Sequence, residues 1–91
     1  MITDLKDTVE LKDTVELMVS ADYKERFKAE YWQLVIRYEK LMQVLHKWGV
    51  GGLDFTPACC RGLYNMQARA MADYIAVLEA RAQIEGIDLE G

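Results

Sequence analysis

The sequence predicts an all-α fold: a long antiparallel helical hairpin with a short N-terminal element, assembling as a homo-oligomeric helical bundle. Three observations carry that expectation. From Phe27 to Trp48 apolar residues recur at alternating intervals of four and three. A second stretch, from the only proline to Gly86, carries two apolar stripes at helical spacing. Between them lies a glycine-rich connection, "GVGGLDFT", short enough to make the two helices neighbours.

Ninety-one residues make one domain, at a size where a single chain buries a modest share of its surface. The organisation expected is a duplicated N-terminal segment over 1–19, formed as a short helix, and a helical hairpin over 20–91. A hydrophobic content of 52% excludes disorder of the low-hydropathy kind, and no apolar run approaches the roughly 20 residues of a membrane span. Residues 1–19 hold five acids against two lysines and residues 20–91 hold ten acids against nine bases. That balance opposes a surface built to grip extended nucleic acid, yet leaves the nearly neutral body free to carry local basic patches. The start "MITDLKD" lacks a basic region followed by an apolar one, and two adjacent cysteines are no disulfide framework, so a cytoplasmic protein is expected.

The N-terminal segment repeats itself: "LKDTVE" at 5–10 returns unchanged at 11–16. Six residues turn a helix by about 600°, so successive copies land about 120° apart and build no common apolar face. The repeat reads as a duplication that carries no chemistry. A short helix is expected there, with Leu11, Val15 and Met18 on one side; a short edge strand is the alternative, because Leu5, Val9, Leu11, Val15 and Leu17 alternate with polar residues.

The first long helix is announced by Asp22 and Glu25 in capping-box spacing and stopped by Gly49, Gly51 and Gly52. Its seam runs Phe27, Tyr31, Leu34, Tyr38, Leu41, Leu45, Trp48, widened by Val35 and Met42. Trp32, Ile36 and Val44 put further apolar surface well off that seam. The second long helix is expected over 57–85, with Thr56 as N-cap, Pro57 in the first turn, Phe55 and Cys60 as a hydrophobic staple and Gly86 as the stop. Tyr64, Ala68, Met71, Ile75, Leu78 and Ala82 form one stripe; Cys60, Leu63, Ala70, Tyr74 and Val77 form a second beside it. Two helices with such wide faces exceed what a hairpin buries alone. Leaving two or three aromatic side chains of about 150–250 Å² wet forfeits several kcal/mol, so a homo-oligomer, most simply a dimer, is expected.

Catalytic and metal constellations are thin. His46 and the vicinal Cys59 and Cys60 offer three zinc ligands without a fourth and without any paired ligand spacing. The glycines of "GVGGLDF" follow a helix and lack the Gly-Lys-Ser/Thr ending of a phosphate loop. The one serine, Ser20, sits beside a cap and has no plausible histidine partner. No catalytic residues, no metal and no cofactor are expected, and the chain does not read as an enzyme.

Two features remain as candidate ligand-binding groups. Arg61, Asn65 and Arg69 recur every four residues along the polar face of the second helix, although a solvated face with Arg69 paired to Asp73 is the competing reading. Trp32, Trp48 and Tyr64, together with Tyr23, lie off the main seam or at its ends and are placed to stack on a planar base, against the competing reading of core or oligomer packing.

Three stretches, "SADYKERFKAEYWQLVIRYEKL", "LDFTPACC" and "LYNMQARAMADYIAVLEARAQIEGIDL", resemble small phage and prophage proteins of gut Firmicutes related to crAss-like phage proteins. The resemblance runs from Leu11 to Leu89, and its most telling part is Leu63, Gln67, Met71, Tyr74, Leu78 and Arg81 in the second helix. The second copy of the hexad departs from that family, which supports the duplication. More distantly, the helix is similar to the hairpin of phage anti-CBASS and anti-Thoeris proteins, oligomers that sequester cyclic nucleotide immune signals. That resemblance implies a cyclic nucleotide partner, held without catalysis by Arg61, Asn65, Arg69 and spare aromatics at a subunit interface. The rival reading is an inhibitor or adaptor that binds a host defence protein through a helical face containing Ile36, Trp32 or Val44. A purely structural phage accessory protein is a third.

Overall fold

The computed structural model describes residues 10–90 of the chain, so the first copy of the repeated hexad lies, but for Glu10, outside the described residues. All regular structure among the described residues is helical. A 3-10 turn, Leu11–Thr14, runs into the single-turn helix α1, Val15–Met18; two long helices follow, α2 at Tyr23–Gly49 and α3 at Arg61–Glu85. The second hexad is thus helical and not an edge strand. No helix among the described residues is long and apolar enough to cross a membrane.

Helix α2 begins where the spacing predicts, with a different wiring. The Asp22 carboxylate accepts from the Lys24 backbone N–H at 2.9 Å. The return bond of a capping box is not made by Glu25. Instead the Asp22 N–H donates to Ser20 Oγ at 3.1 Å, and Ser20 Oγ donates to Glu25 at 2.5 Å. The serine is interposed: Asp22 and Ser20 each take one backbone donor, and Glu25 fixes the serine hydroxyl. Both long helices stop by one device, a glycine in the left-handed region followed by an N–H that reaches back five residues. At the end of α2, Gly51 has φ 72° and Gly52 N–H bonds the Lys47 carbonyl at 2.7 Å. At the end of α3, Gly86 has φ 70° and Ile87 N–H bonds the Ala82 carbonyl at 2.8 Å.

Helix α3 starts four residues later than the sequence suggests. Cys60, not Thr56, is the N-cap residue, in an extended conformation and without a side-chain cap. Phe55 and Cys60 are both exposed, so there is no staple, and Cys60 does not join the core. The physical reason is tertiary: Arg61 is fastened to the end of α2, and a local cap worth about 1 kcal/mol does not decide the boundary against that.

The two long helices run in opposite senses, since Trp48 meets Tyr64 at one end while Lys24 Nζ donates to the Gly86 carbonyl at the other. The core gathers at the second of these ends: Phe27, Tyr31, Trp32 and Val35 of α2 pack with Leu78 and Ala82 of α3 and with Ile87 beyond it. Tyr38 and Leu41, midway along the predicted seam, are only half-buried. The apolar surface off the seam is covered from within the chain. Leu89 packs on the core cluster, and its carbonyl accepts the Trp32 indole N–H at 3.2 Å. On the other side of α2 the N-terminal element docks through Gln33, whose amide donates to the fully buried Thr14 Oγ1 at 2.9 Å. Trp32 and Ile36 therefore need no second copy to be buried.

Candidate functional site

At the end of the molecule far from the core, the chain turns through 50–60 and brings three of the six predicted site residues together. Trp48 and Tyr64, both half-buried, meet edge to face with ring centroids 5.6 Å apart and planes at 75°. The Arg61 guanidinium carbon stands 5.6 Å from the Trp48 ring centroid, and Nη2 donates to the Leu45 carbonyl at 3.3 Å. A cation in the first turn of α3 is badly placed with respect to that helix's own dipole. The neighbouring C-terminus of α2, the negative end of that helix's dipole, offsets this and explains the contact. The Leu45 carbonyl is a partner that side-chain periodicity does not reveal. The signal available was the arginine at a helix start, where an acid is the usual choice.

The other three are distributed differently. Asn65 and Arg69 follow Arg61 along α3 at one-turn intervals, both exposed. Among the described residues Arg69 forms no ion pair with Asp73. Trp32 is a correction to the sequence reading: it is 5% exposed, its ring meets Tyr31 edge to face at 5.5 Å, and its indole N–H is spent on Leu89. A ring so enclosed is part of the core and offers no face to a base. Among the described residues no three His, Cys, Asp or Glu side chains gather as a metal site.

Polar groups elsewhere fasten α2 to α3. Tyr31, 2% exposed, donates its phenolic O–H to Glu79 at 2.8 Å, and Tyr74 donates to Glu30. Burial first, then the Glu79 hydrogen bond and the charges of Glu79 and Glu90, hold the Tyr31 hydroxyl far above its ordinary range, so it stays protonated. Arg81 lies 4.9 Å above the Phe27 ring and pairs with Glu85 at 2.9 Å, closing the core end.

These features define a small all-α protein with one arginine-and-aromatic cluster at its loop end and a packed core at the other. Residues 21–84, nearly the whole of both long helices with their connection, match the Sequestin family, and the chain belongs to it. No curated protein and no solved structure matches.

Proposed function

We propose that the chain is a phage-encoded anti-defence protein that sequesters a cyclic nucleotide immune signal in the cytoplasm of an infected bacterium. It acts as a homo-oligomer of helical hairpins and without catalysis. The family's name, which speaks of sequestering, supports the binding class. The observation that carries the site is the cluster at the loop end, an exposed arginine laid against the half-buried Trp48 ring, which in turn meets Tyr64. A guanidinium has five N–H donors, and the Leu45 carbonyl takes one, which leaves donors for a phosphate in the bidentate geometry arginine favours. Trp48 and Tyr64 supply flat apolar surface for a base, and Asn65 follows one turn along α3. The rival reading, docking on a host defence protein through Ile36, Trp32 or Val44, has less support, because Trp32 and Ile36 are buried and Val44 is half-buried.

Titration calorimetry against cyclic di- and trinucleotides and cyclic ADP-ribose isomers tests the proposal. One member should bind and be recovered unchanged by mass spectrometry. Arg61→Ala should then lower affinity roughly 10- to 100-fold, the loss of one charge-assisted contact. No binding by any member sinks the reading, and a converted ligand excludes simple sequestration.

A further inference from the structure

Helix α2 is covered from both sides by its own chain, but α3 is not. Turned about 120° from the stripe that faces α2, Leu63, Met66, Ala70, Val77 and Ile84 run the length of α3 on its open side, with Tyr74 at its edge bonded back to Glu30 of α2. Leu63, Met66, Val77 and Ile84 are 54, 67, 55 and 85% exposed. Leu63, Ala70, Val77 and Ile84 stand seven residues apart, the spacing of a coiled-coil seam. About 500 Å² of mostly apolar side chain lies bare along one line, the size that marks an interaction site on a folded chain.

We propose that this stripe is the contact face of a homodimer, in which α3 packs antiparallel on α3 of a second copy. The inference rests on the homo-oligomeric part of the function proposed above and not on any ligand. Two stripes joined bury about 1,000–1,200 Å², the threshold of a specific interface. A two-fold axis between residues 71 and 72 makes the stripe complementary to itself: Met66 meets the partner's Val77 on either side of the axis, and the small Ala70 of each copy lies next to it. The small Ala70 lets the two helices approach closely at the axis, between the two Met66–Val77 pairs, as close packing requires. The same axis sets Arg69 beside the partner's Asp73, twice. That gives a role to two opposite charges which stand one turn apart on α3 and form no ion pair with each other.

Sedimentation at tens of micromolar should show a dimer. Met66→Glu with Val77→Glu should give a monomer of unchanged helicity, because both positions are exposed in the single chain. Arg69→Asp and Asp73→Arg should each weaken the dimer about tenfold, since two symmetry-related rim pairs turn repulsive. Mixed in equal amounts, the two single variants should associate as a heterodimer with both pairs restored, which an ion pair within one helix cannot produce. A monomeric parent, a dimer that survives the glutamates, or variants that fail to recover on mixing would each overturn the proposal. A parent that dimerises but binds no nucleotide leaves this interface standing and removes only the ligand.

Discussion

Tyr31→Phe tests how the two long helices are held together. The change removes one hydroxyl and keeps the ring, so packing against Trp32 and Leu78 is preserved. Lost is a buried hydrogen bond to Glu79, an exposed carboxylate that water resolvates, and the cost near neutral pH should be about 1 kcal/mol. The alkaline limb is more discriminating. The hydroxyl in the fold titrates above its unfolded value, so its stabilisation is complete below about pH 10 and is lost as pH rises toward the native pKa. Above pH 10 the parent should lose about 1.4 kcal/mol per pH unit relative to the variant, because the unfolded tyrosine ionises and the folded one does not. The two stability curves should cross close to pH 11. Urea unfolding of both proteins at pH 8, 10 and 11, followed by helical circular dichroism, measures this directly. A difference that stays constant from pH 8 to 11, or grows in favour of the parent, would falsify the assignment of Tyr31 as a buried, protonated donor.

Other changes probe the rest of the fold. Leu78, 1% exposed at the centre of the core, should cost about 2–5 kcal/mol as Leu78→Ala, seen as a melting temperature lowered by 10 °C or more. Gly86→Ala should cost about 1–2 kcal/mol through backbone strain alone, since the added Cβ meets nothing within 4 Å. Gly49→Ala, in helical backbone with only ordinary contact to Arg61 at 3.7 Å, should be neutral or slightly stabilising, and a loss there equal to that at Gly86 would refute the distinction. In a Trp48→Phe background, removing residues 87–90 should make Trp32 fluorescence accessible to acrylamide; continued protection would mean that the tail is not its cover.

The long helices were legible because their signals are local. Asp22 at one start and Gly51 and Gly86 at the stops act through backbone geometry that spacing alone exposes. The start of α3 was not legible, because Thr56 and Pro57 make a good local cap while the contact that decides the matter joins Arg61 to Leu45 and Trp48. Trp32 was misplaced for a related reason. Helical periodicity assigns it to an open face, and the residues that close that face, Ile87 and Leu89, come after the helix stop where periodicity has ended. A signal for them did exist: an apolar residue just past a left-handed glycine commonly folds back on the last turn. Of the candidate site, the grouping of Trp48, Tyr64 and Arg61 follows from any antiparallel pairing of the two helices, whereas Asn65 and Arg69 keep the open positions their spacing implies.

Trp32 and Leu89 are 57 positions apart in the chain, and Lys24 and Gly86 are 62 apart. On the ribosome that order has a cost. The apolar run from Phe27 to Val35 is synthesised first, while Leu78, Ala82 and Ile87, buried partners of that run outside α2, follow about 50 residues later, about 3–10 s at ordinary elongation rates. During that interval α2 has only the N-terminal element to lean on, and its sticky side is open to chaperones or to neighbouring nascent chains. A pause-free stretch of codons across the connection between the long helices should therefore raise the yield of soluble protein, while slow codons placed there should lower it.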